Sequence, residues 1–408
     1  KTREGFFFNF IIALFIASKL ACNIFIFSIS LTDALPIAHI EFFLIYLAKF
    51  SLLDFVNFLE SFNTFFNSSE SINIYNPPFH GSNSWILSSK RSQSGSPVLA
   101  NDPHIGLSNP DVWYEAHISY PGFNTYGYYI PTIPFPLIGH DEIKAWGLTM
   151  TENDEVDLYA ETFNPQNKNE VLHNNICTKS KTINEIIKVK DDEEINFDIR
   201  QTVHGPIISD YLEGYVGKPL AFSWVFYNLD NPIFDLLYEL NYAKNITQFE
   251  SSLSKLVSPG LNFSYADTLD NIAWWVAGRF PIRDSNINAK AILDGNNPIH
   301  EIQSYVPFKQ NPRLINPESG VIVTANNLPS GKKVGAIPRL DGYFRSSDRA
   351  QRIHELLSTQ IKWTAYELQT IQTDIFLNSG FDKSSIVIPP STIFLPLKIV
   401  FIGLFSPI

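Results

Sequence analysis

The amino-acid composition changes abruptly near residue 80, and this change governs how the chain can be divided. The first 80 residues hold 16 of the 33 phenylalanines but only one of the 20 glycines, and all seven tryptophans come later. The two parts therefore follow different folding rules, and we place a boundary between them. The short β-like runs considered below lie after this boundary.

Residues 1–31 form an apolar leader. The run FFFNFIIALFIA at 6–17 follows the charged KTRE and precedes small residues, which is the layout of a signal peptide. A second apolar run at 20–31 extends the leader to the roughly 20 residues that a membrane-spanning helix needs. A signal peptide predicts an exported, periplasmic protein, and an anchor predicts membrane contact through residues 6–31. A mistranslated leader is the third alternative.

Residues 32–81 form an atypical hydrophobic segment that ends in a linker. From 40 to 66 the apolar residues recur at helical intervals, which predicts a packing helix or a pair of helices. The polar run NSSESINIYNPPFHG follows and leads to Gly81. Its two prolines, flanked by Asn and Ser, predict an exposed loop, and an exposed loop is what a cleavage site needs.

Charge and motif content exclude several classes of function. The chain carries 30 Lys and Arg against 41 Asp and Glu, and it has no basic cluster that would follow a phosphate backbone, so nucleic acid is not an expected partner. Cys22 and Cys177 have no paired metal-ligand spacing, which excludes a disulfide framework and a zinc site of that kind. The chain also lacks the phosphate-binding, dinucleotide, HExxH, GxSxG and CxxC signatures, so no organic cofactor is expected.

After residue 82 the pattern predicts an α+β fold with a large sheet and packed helices. WILSS and PVLAN, joined by KRSQSGS, predict a β-hairpin, and further strands are predicted at VWYEAHISYP, YGYYIP, IKAWGLTM and VDLYAETF. Residues 233–257 are apolar at three- and four-residue intervals, which predicts a helix of about seven turns, and SDRAQRIHELLST predicts another. The apolar tail at 379–408 matches neither pattern well, so we expect a truncated or out-of-frame end, with a membrane tail as the alternative.

Nine short motifs follow one another along this region. They are GSNSW at 81–85, NDPH at 101–104, GHDEIKAWGLTMTENDEVDLYAE at 139–161, TVHG at 202–205, PGLNFSYAD at 259–267, GRFPIR at 278–283, TANNLP at 324–329, SDRAQRI at 347–353 and IQTD at 371–374. In content and order they resemble the penicillin acylase family of N-terminal nucleophile hydrolases. The resemblance implies an αββα sandwich of antiparallel sheets and packed helices over 82–378. Family members carry longer chains on both sides of this region, so we expect a chain truncated at both ends.

The resemblance implies that Ser82 is the nucleophile. In the family the precursor cuts itself before this residue, here between Gly81 and Ser82, and the two fragments remain together as a heterodimer. The freed α-amine, with a pKa of about 8, is partly neutral and lies close enough to take the proton of the serine hydroxyl. Taken alone, GSNSW is more typical of a turn.

The same resemblance assigns four further catalytic-site residues. His104, one hairpin from Ser82, would line the site and hold the serine and its amine, unless it is a structural histidine. The side-chain amide of Asn262 and the backbone N–H of Met150 would stabilise the oxyanion of the tetrahedral intermediate. Arg283 would position Asn262 or the substrate, and a plain surface arginine is the alternative.

The acidic run NDEVD suits a hard cation held by oxygen ligands. By resemblance, calcium would be bound by the carboxylates of Asp154 and Asp157 and by the main-chain carbonyl of Val156. The alternative is a solvated acidic turn.

The expected substrate is a small-molecule N-acyl amide. Its acyl group would enter an apolar pocket, for which the candidates are Ile105, Ile138 and Leu148, although all three also suit an ordinary core. The predicted reaction is hydrolysis of a linear amide, such as that of a β-lactam antibiotic or an N-acyl-homoserine lactone, through an acyl-Ser82 ester. The alternatives are an inactive fragment or binding protein that keeps the fold, and a membrane-anchored structural protein.

Overall fold

The computed structural model describes residues 81–105, 111–212, 215–374 and 376, together with the backbone of 401–404. The leader at 1–31, the hydrophobic segment up to residue 80 and most of the tail lie outside these ranges, so the expectations for them stay predictions. Within the described ranges, no helix combines the length and the apolar character needed to cross a membrane.

Strands outnumber helices among the elements of the described residues. The strands are β1 Gly81–Leu87, β2 Val98–His104, β3 Tyr114–Tyr120, β4 Phe123–Tyr129, β5 Ile138–His140, β6 Lys144–Met150, β7 Val156–Ala160, β8 Phe163–Asn164, β9 Asn167–His173, β10 Ile176–Lys179, β11 Lys181–Ile187, β12 Ile195–Gln201, β13 Leu220–Trp224, β14 Leu261–Asp267, β15 Ile272–Ala277, β16 Pro281–Ile282, β17 Ile292–Asp294, β18 Ser304–Tyr305, β19 Arg313–Ile315, β20 Val321–Thr324 and β21 Phe401–Leu404. The α-helices are Val225–Asn228, Ile233–Tyr242, Ile246–Leu253, Asp348–Ser358 and Ala365–Gln372.

The chain divides into two compact units. The described part of the larger one comprises residues 81–153, 230–280 and those from 305 onward, and it holds two antiparallel sheets. One sheet has the order β20-β1-β2-β21, and the other has the order β19-β15-β14-β6-β5-β4-β3. The predicted hairpin is confirmed, because β1 pairs antiparallel with β2.

Because side chains alternate along each strand, each of these two sheets has two faces that can pack. One face packs against the other sheet, and the opposite face is covered by helices. In β1, Trp85 and Leu87 pack with residues of the helices Asp348–Ser358 and Ala365–Gln372, whereas Ile86 joins the core of the seven-stranded sheet. The outer face of that second sheet is covered by the helix Ile246–Leu253, whose Phe249 lies 4.8 Å from the ring of Tyr265. The layer order is helix, sheet, sheet, helix, which confirms the predicted α+β sandwich.

One local expectation is wrong in detail, and one segment without a predicted element contains a strand. The predicted helix at 233–257 is two helices, interrupted at Ala243–Asn245, because the Asn245 side chain caps the second one by accepting a hydrogen bond from the Gln248 N–H. In the tail, residues 401–404 pair antiparallel with β2, so this part of a segment that resembles neither element by sequence does form a strand.

The smaller unit comprises residues 154–229 and 281–304 of the described chain. Its central sheet has the order β13-β7-β17, with β13 antiparallel and β17 parallel to β7. A small apolar cluster of Tyr159, Ile207, Ala221 and Leu293 packs on these strands. Two smaller antiparallel sheets, β10-β9-β8 and β11-β12, complete the unit.

Candidate active site

Ser82 is the second residue of β1 and is buried, with 5% of its surface exposed. Its side chain shares a strand face with that of Ser84, since residues two apart in a strand point the same way. The Ser84 hydroxyl donates a 2.8 Å hydrogen bond to the Ser264 hydroxyl in β14. The Ser82 hydroxyl therefore faces the inner side of the seven-stranded sheet.

Asn326 holds the backbone nitrogen of Ser82. The Ser82 N–H donates to Asn326 Oδ1 at 2.6 Å, and the Asn326 side-chain amide donates to the Met150 carbonyl at 2.9 Å. The register explains this position: Ser84 pairs with Thr324, so the chain leaving β20 runs past Ser82 two residues later. Asn326 has φ +61°, a left-handed conformation that asparagine adopts more readily than most residues.

Arg349, from the helix Asp348–Ser358, braces the same point. One guanidinium nitrogen donates to the Ser82 carbonyl at 2.9 Å and to Asn83 Oδ1 at 2.8 Å. The other donates to Asn326 Oδ1 at 2.9 Å and to the Ala325 carbonyl at 2.7 Å. The backbone on both sides of the Ser82 Cα is thus fixed, which leaves the side chain as the part that can react.

The two predicted oxyanion donors lie on neighbouring strands. Asn262 in β14 is 1% exposed, and its amide nitrogen donates to the Met150 carbonyl in β6 at 3.2 Å. The indole N–H of Trp274 donates to Asn262 Oδ1 at 3.0 Å and so orients the amide. Because an amide nitrogen carries two hydrogens, a second donor remains for a substrate oxygen.

The backbone N–H of Met150 points away from β14. Thr151, which directly follows β6, donates its N–H to the Gly260 carbonyl, just before β14. Every second residue of β6 therefore directs its backbone N–H and C=O toward β14, and the residues between them direct theirs to the other edge of the strand. Leu148 is one of the latter, since its N–H donates to Asn101 Oδ1 at 2.7 Å. Met150, two residues on, is oriented like Leu148. The Met150 carbonyl accepts hydrogen bonds from both Asn262 and Asn326, and Asn326 also accepts from the Ser82 N–H, so Ser82, Met150 and Asn262 belong to one hydrogen-bonded group.

His104 lies on a different face of the hairpin. It is opposite Gly81 in the register of β1 and β2, and its Nε2 lies 2.9 Å from Asp102 Oδ2. The other oxygen of Asp102 accepts a hydrogen bond from Gln372 in a covering helix. By alternation the His104 side chain therefore faces the helices, whereas that of Ser82 faces the second sheet. A site-lining role for His104 stays a prediction, and this register does not favour it.

The three pocket candidates are dispersed. Ile138 and Leu148 belong to the apolar core cluster, and the half-buried Ile105 directly follows β2. Leu148 is paired with Phe263, on the face that packs against the helices. A cavity of about 150 Å³ lies elsewhere, lined by Trp274, Leu314, Val321, Ile322, Val323, Thr324, Asn327, Pro329 and His354. Trp274, which orients Asn262, is thus also exposed to a small cavity.

The predicted metal ligands lie in the smaller unit. Asp154 and Asp157 are 2% and 1% exposed, so the alternative of a solvated acidic turn is wrong. Asp157 accepts two hydrogen bonds from Arg283, at 2.8 and 3.2 Å. Burial lowers the pKa of Arg283, but the charges of Asp157 and Asp154 outweigh it and raise the pKa above its ordinary value. Arg283 is itself buried and is not a plain surface arginine.

Asn326 and Arg349 are the site residues that sequence reasoning missed. Both lie in motifs noted above, TANNLP and SDRAQRI, but neither motif shows by itself which side chain reaches Ser82. Their contacts with Ser82 span 244 and 267 residues. The sequence signal for these two residues was the joint occurrence of their motifs with GSNSW, whereas no local pattern pointed to either side chain.

The helix–sheet–sheet–helix stack places the chain in the fold class of the N-terminal nucleophile hydrolases. The family model of penicillin amidase matches residues 22–381, and the chain belongs to that family. A solved structure, the thermostable penicillin G acylase from Alcaligenes faecalis, is similar with a TM-score of 0.62 and 25% identity. The match covers 71% of this chain and 52% of that one.

Curated relatives include several acylases. Penicillin G acylase of Escherichia coli is 26% identical over 286 residues, which is 70% of this chain and 33% of that protein. Acyl-homoserine lactone acylase QuiP of Pseudomonas aeruginosa is 28% identical over 327 residues, 76% of this chain and 38% of that protein. Penicillin acylase 2 proenzyme of Pseudomonas sp. (strain SE83) is 30% identical over 249 residues, 60% and 32% of the two chains. The chain thus spans about a third of the length of these relatives.

Proposed function

We propose that this chain carries the nucleophile region of an amide hydrolase in which Ser82 becomes the amino-terminal residue. The observation that carries the proposal is the 2.6 Å hydrogen bond from the Ser82 nitrogen to Asn326 Oδ1. After cleavage of the Gly81–Ser82 bond, that nitrogen is the α-amine that must serve as the base. It is therefore already held by a buried acceptor, on a residue whose hydroxyl faces the sheet that carries Asn262.

Acylation follows from these positions. The neutral α-amine of Ser82 takes the proton of its own hydroxyl while Oγ attacks the amide carbon of the substrate. The carbonyl oxygen becomes an oxyanion, which the second N–H of the Asn262 amide and the N–H of Met150 stabilise. The ammonium then donates its proton to the leaving nitrogen, the C–N bond breaks, and the free amine departs from the acyl-Ser82 ester.

Deacylation uses the same groups with water as the nucleophile. The α-amine of Ser82 takes a proton from water as the water oxygen attacks the ester carbon, and the same two donors stabilise the second oxyanion. Collapse of this intermediate breaks the bond to Oγ, and the serine oxygen takes back the proton. The products are a carboxylic acid and the regenerated amino-terminal serine.

The substrate class in this proposal is a small-molecule N-acyl amide. Support comes from the relatives, whose names describe acylases of penicillin G and of acyl-homoserine lactones. We include in the proposal that the two cleavage fragments remain associated, as the resemblance to the penicillin acylase family implies.

We further propose that calcium binds at Asp154, Asp157 and the Val156 carbonyl. Two carboxylates are buried there with one guanidinium, that of Arg283, which favours an additional cation. The Val156 carbonyl points away from β13, since Glu155 accepts a hydrogen bond from the Val225 N–H and successive carbonyls of a strand point to opposite edges. Arg283 would then hold Asp157 as a ligand. Calcium would contribute to folding stability and fix this strand end.

The experiment is to express the chain and its Ser82→Ala variant and to compare their intact masses and their hydrolysis of N-acyl amides. Chromogenic anilides with short to long acyl chains and N-acyl-homoserine lactones form a suitable panel. Ser96→Ala, in the turn of the same hairpin, is the matched control. We expect cleavage and hydrolysis in the parent and the control and neither in Ser82→Ala. Hydrolysis that survives Ser82→Ala would refute the proposal, and an uncut, inactive parent would favour the binding-protein alternative.

A further inference from the structure

Three side chains converge in the smaller unit at a place that the proposed amide hydrolysis does not use. They are His173, the last residue of β9, His204 of the TVHG motif, and Glu301. Their potential ligand atoms all lie within 4.8 Å of one another. His204 Nε2 is 2.8 Å and His173 Nε2 is 3.2 Å from the same oxygen, Glu301 Oε1.

These separations are close to those of a metal site. Tetrahedral zinc with bonds of about 2.0–2.1 Å keeps neighbouring ligand atoms about 3.3 Å apart. Both nitrogen–oxygen distances to Glu301 therefore need to lengthen by about half an ångström or less. The two imidazole nitrogens, which lie within 4.8 Å of each other, need to approach by up to about 1.5 Å. Two imidazoles and one carboxylate are ligands that zinc accepts, and three protein ligands leave a fourth position for water.

Glu161 supplies the outer partner that metal-binding histidines have. Its Oε1 lies 2.8 Å from Nδ1 of His204, so a proton on Nδ1 leaves Nε2 to face His173 and Glu301. Glu161 is 1% exposed, and its Oε1 also accepts a hydrogen bond from Thr202 at 2.6 Å. A carboxylate behind a histidine fixes the ring tautomer and makes the opposite nitrogen a better ligand.

The His204 ring is fixed by its surroundings. It stacks on Tyr159 with ring centres 4.0 Å apart and planes inclined by 11°. Gly205 follows with φ +138°, and a Cβ at this position would lie 2.1 Å from the Phe222 carbonyl oxygen, so the turn requires glycine. The HG pair of TVHG thus serves to aim one imidazole.

The electrostatics and the exposure also suit a divalent cation. Two carboxylates, Glu161 and Glu301, flank His204. Both carboxylates therefore make this position favourable for positive charge. His204 is buried at 4% exposure, whereas His173 and Glu301 retain 25% and 31% of their side-chain surface, which gives an ion a route from solvent.

We propose that His173, His204 and Glu301 form a binding site for a zinc-class divalent ion, with Glu161 as the carboxylate that orients His204. The ion joins the end of β9 to the loop after β12 and to the segment that contains Glu301. This site is separate in its residues from the oxygen-rich calcium site proposed above, and it does not depend on the amide hydrolysis.

The test uses tag-free, full-length Ser82→Ala protein, so that processing does not complicate the result. Chelator-treated protein is dialysed against Zn²⁺ or Co²⁺ in excess Ca²⁺, which occupies oxygen sites. Bound metal is measured by mass spectrometry, and Co²⁺ coordination is measured by visible absorption. We expect one bound ion per chain and an intense Co²⁺ spectrum typical of four-coordinate geometry with nitrogen ligands.

Variants identify the ligands. His173→Gln removes a partly exposed ligand and should weaken binding more than 100-fold, whereas Glu161→Gln should weaken it about 10–100-fold. His117→Gln, at an exposed histidine in β3, is the matched control and should bind like the parent. Absence of Zn²⁺ and Co²⁺ binding at millimolar concentration would overturn the proposal and leave an ion-paired histidine. Equal affinities for His173→Gln and His117→Gln would overturn it as well.

Discussion

Asn326→Ala tests whether one side chain organises the environment of Ser82. The asparagine is fully buried and accepts from the Ser82 N–H and from Arg349 while donating to the Met150 carbonyl. Alanine removes all of these hydrogen bonds. Arg349 keeps the Ala325 carbonyl as a partner, and Met150 keeps the amide of Asn262. The substitution therefore affects the Ser82 N–H most, because this group loses its acceptor, Asn326 Oδ1.

The magnitude follows from these partners. A buried N–H without an acceptor costs about 1–3 kcal/mol, and weakening the remaining two hydrogen bonds adds about 1 kcal/mol. Alanine at φ +61° adds roughly 1 kcal/mol of backbone strain that glycine would avoid. We expect Asn326→Ala to lower the free energy of unfolding by about 3–5 kcal/mol, and Asn326→Gly to lower it by roughly 1 kcal/mol less.

The assay is urea unfolding in the Ser82→Ala background, where the chain stays uncut and the Ser82 backbone N–H is retained. Asn174→Ala is the matched control, because Asn174 has φ +53° but an exposed side chain. It should lose only about 1 kcal/mol. If Asn326→Ala costs no more than Asn174→Ala, the hydrogen bonds assigned to Asn326 do not stabilise the site, and the reasoning is refuted.

Three further predictions concern the oxyanion donors and calcium. Asn262→Ala should lower kcat by about 10²–10³, or roughly 3 kcal/mol of transition-state stabilisation; a loss below about tenfold would contradict the assignment. Trp274→Phe removes the donor that orients Asn262 and should lower kcat by roughly tenfold with little change in KM, whereas a change confined to KM would indicate a substrate contact instead. Asp154→Asn should abolish the Ca²⁺-dependent rise in thermal stability that we expect of the parent, and a parent whose melting temperature ignores Ca²⁺ and chelator would exclude the calcium site.

Local patterns predicted much of the fold. The β1–β2 hairpin, the strands β3, β4 and β6 of the seven-stranded sheet and the helix Asp348–Ser358 are visible in the sequence because each depends on neighbours along the chain. The break at Asn245 was missed because the apolar spacing continues across it, and only the capping hydrogen bond ends one helix and begins the next.

The candidate site was less accessible to local reasoning. Ser82 and Asn262 came from motif order, and their relation in space depends on the pairing of β14 with β6 and of β1 with β20. Asn326 and Arg349 reach Ser82 only after the whole sandwich has formed. For His104, closeness in sequence suggested closeness in space, but strand alternation sends its side chain to the opposite face of the hairpin.

The most direct test of the central claim is the amino-terminal residue of the purified protein, read by sequencing and by intact mass. We expect two associated fragments, the larger of which begins at Ser82, and a single uncut chain for Ser82→Ala. A parent protein that stays uncut through prolonged incubation, with the same mass pattern as Ser82→Ala, would contradict the assignment of Ser82 as the amino-terminal nucleophile.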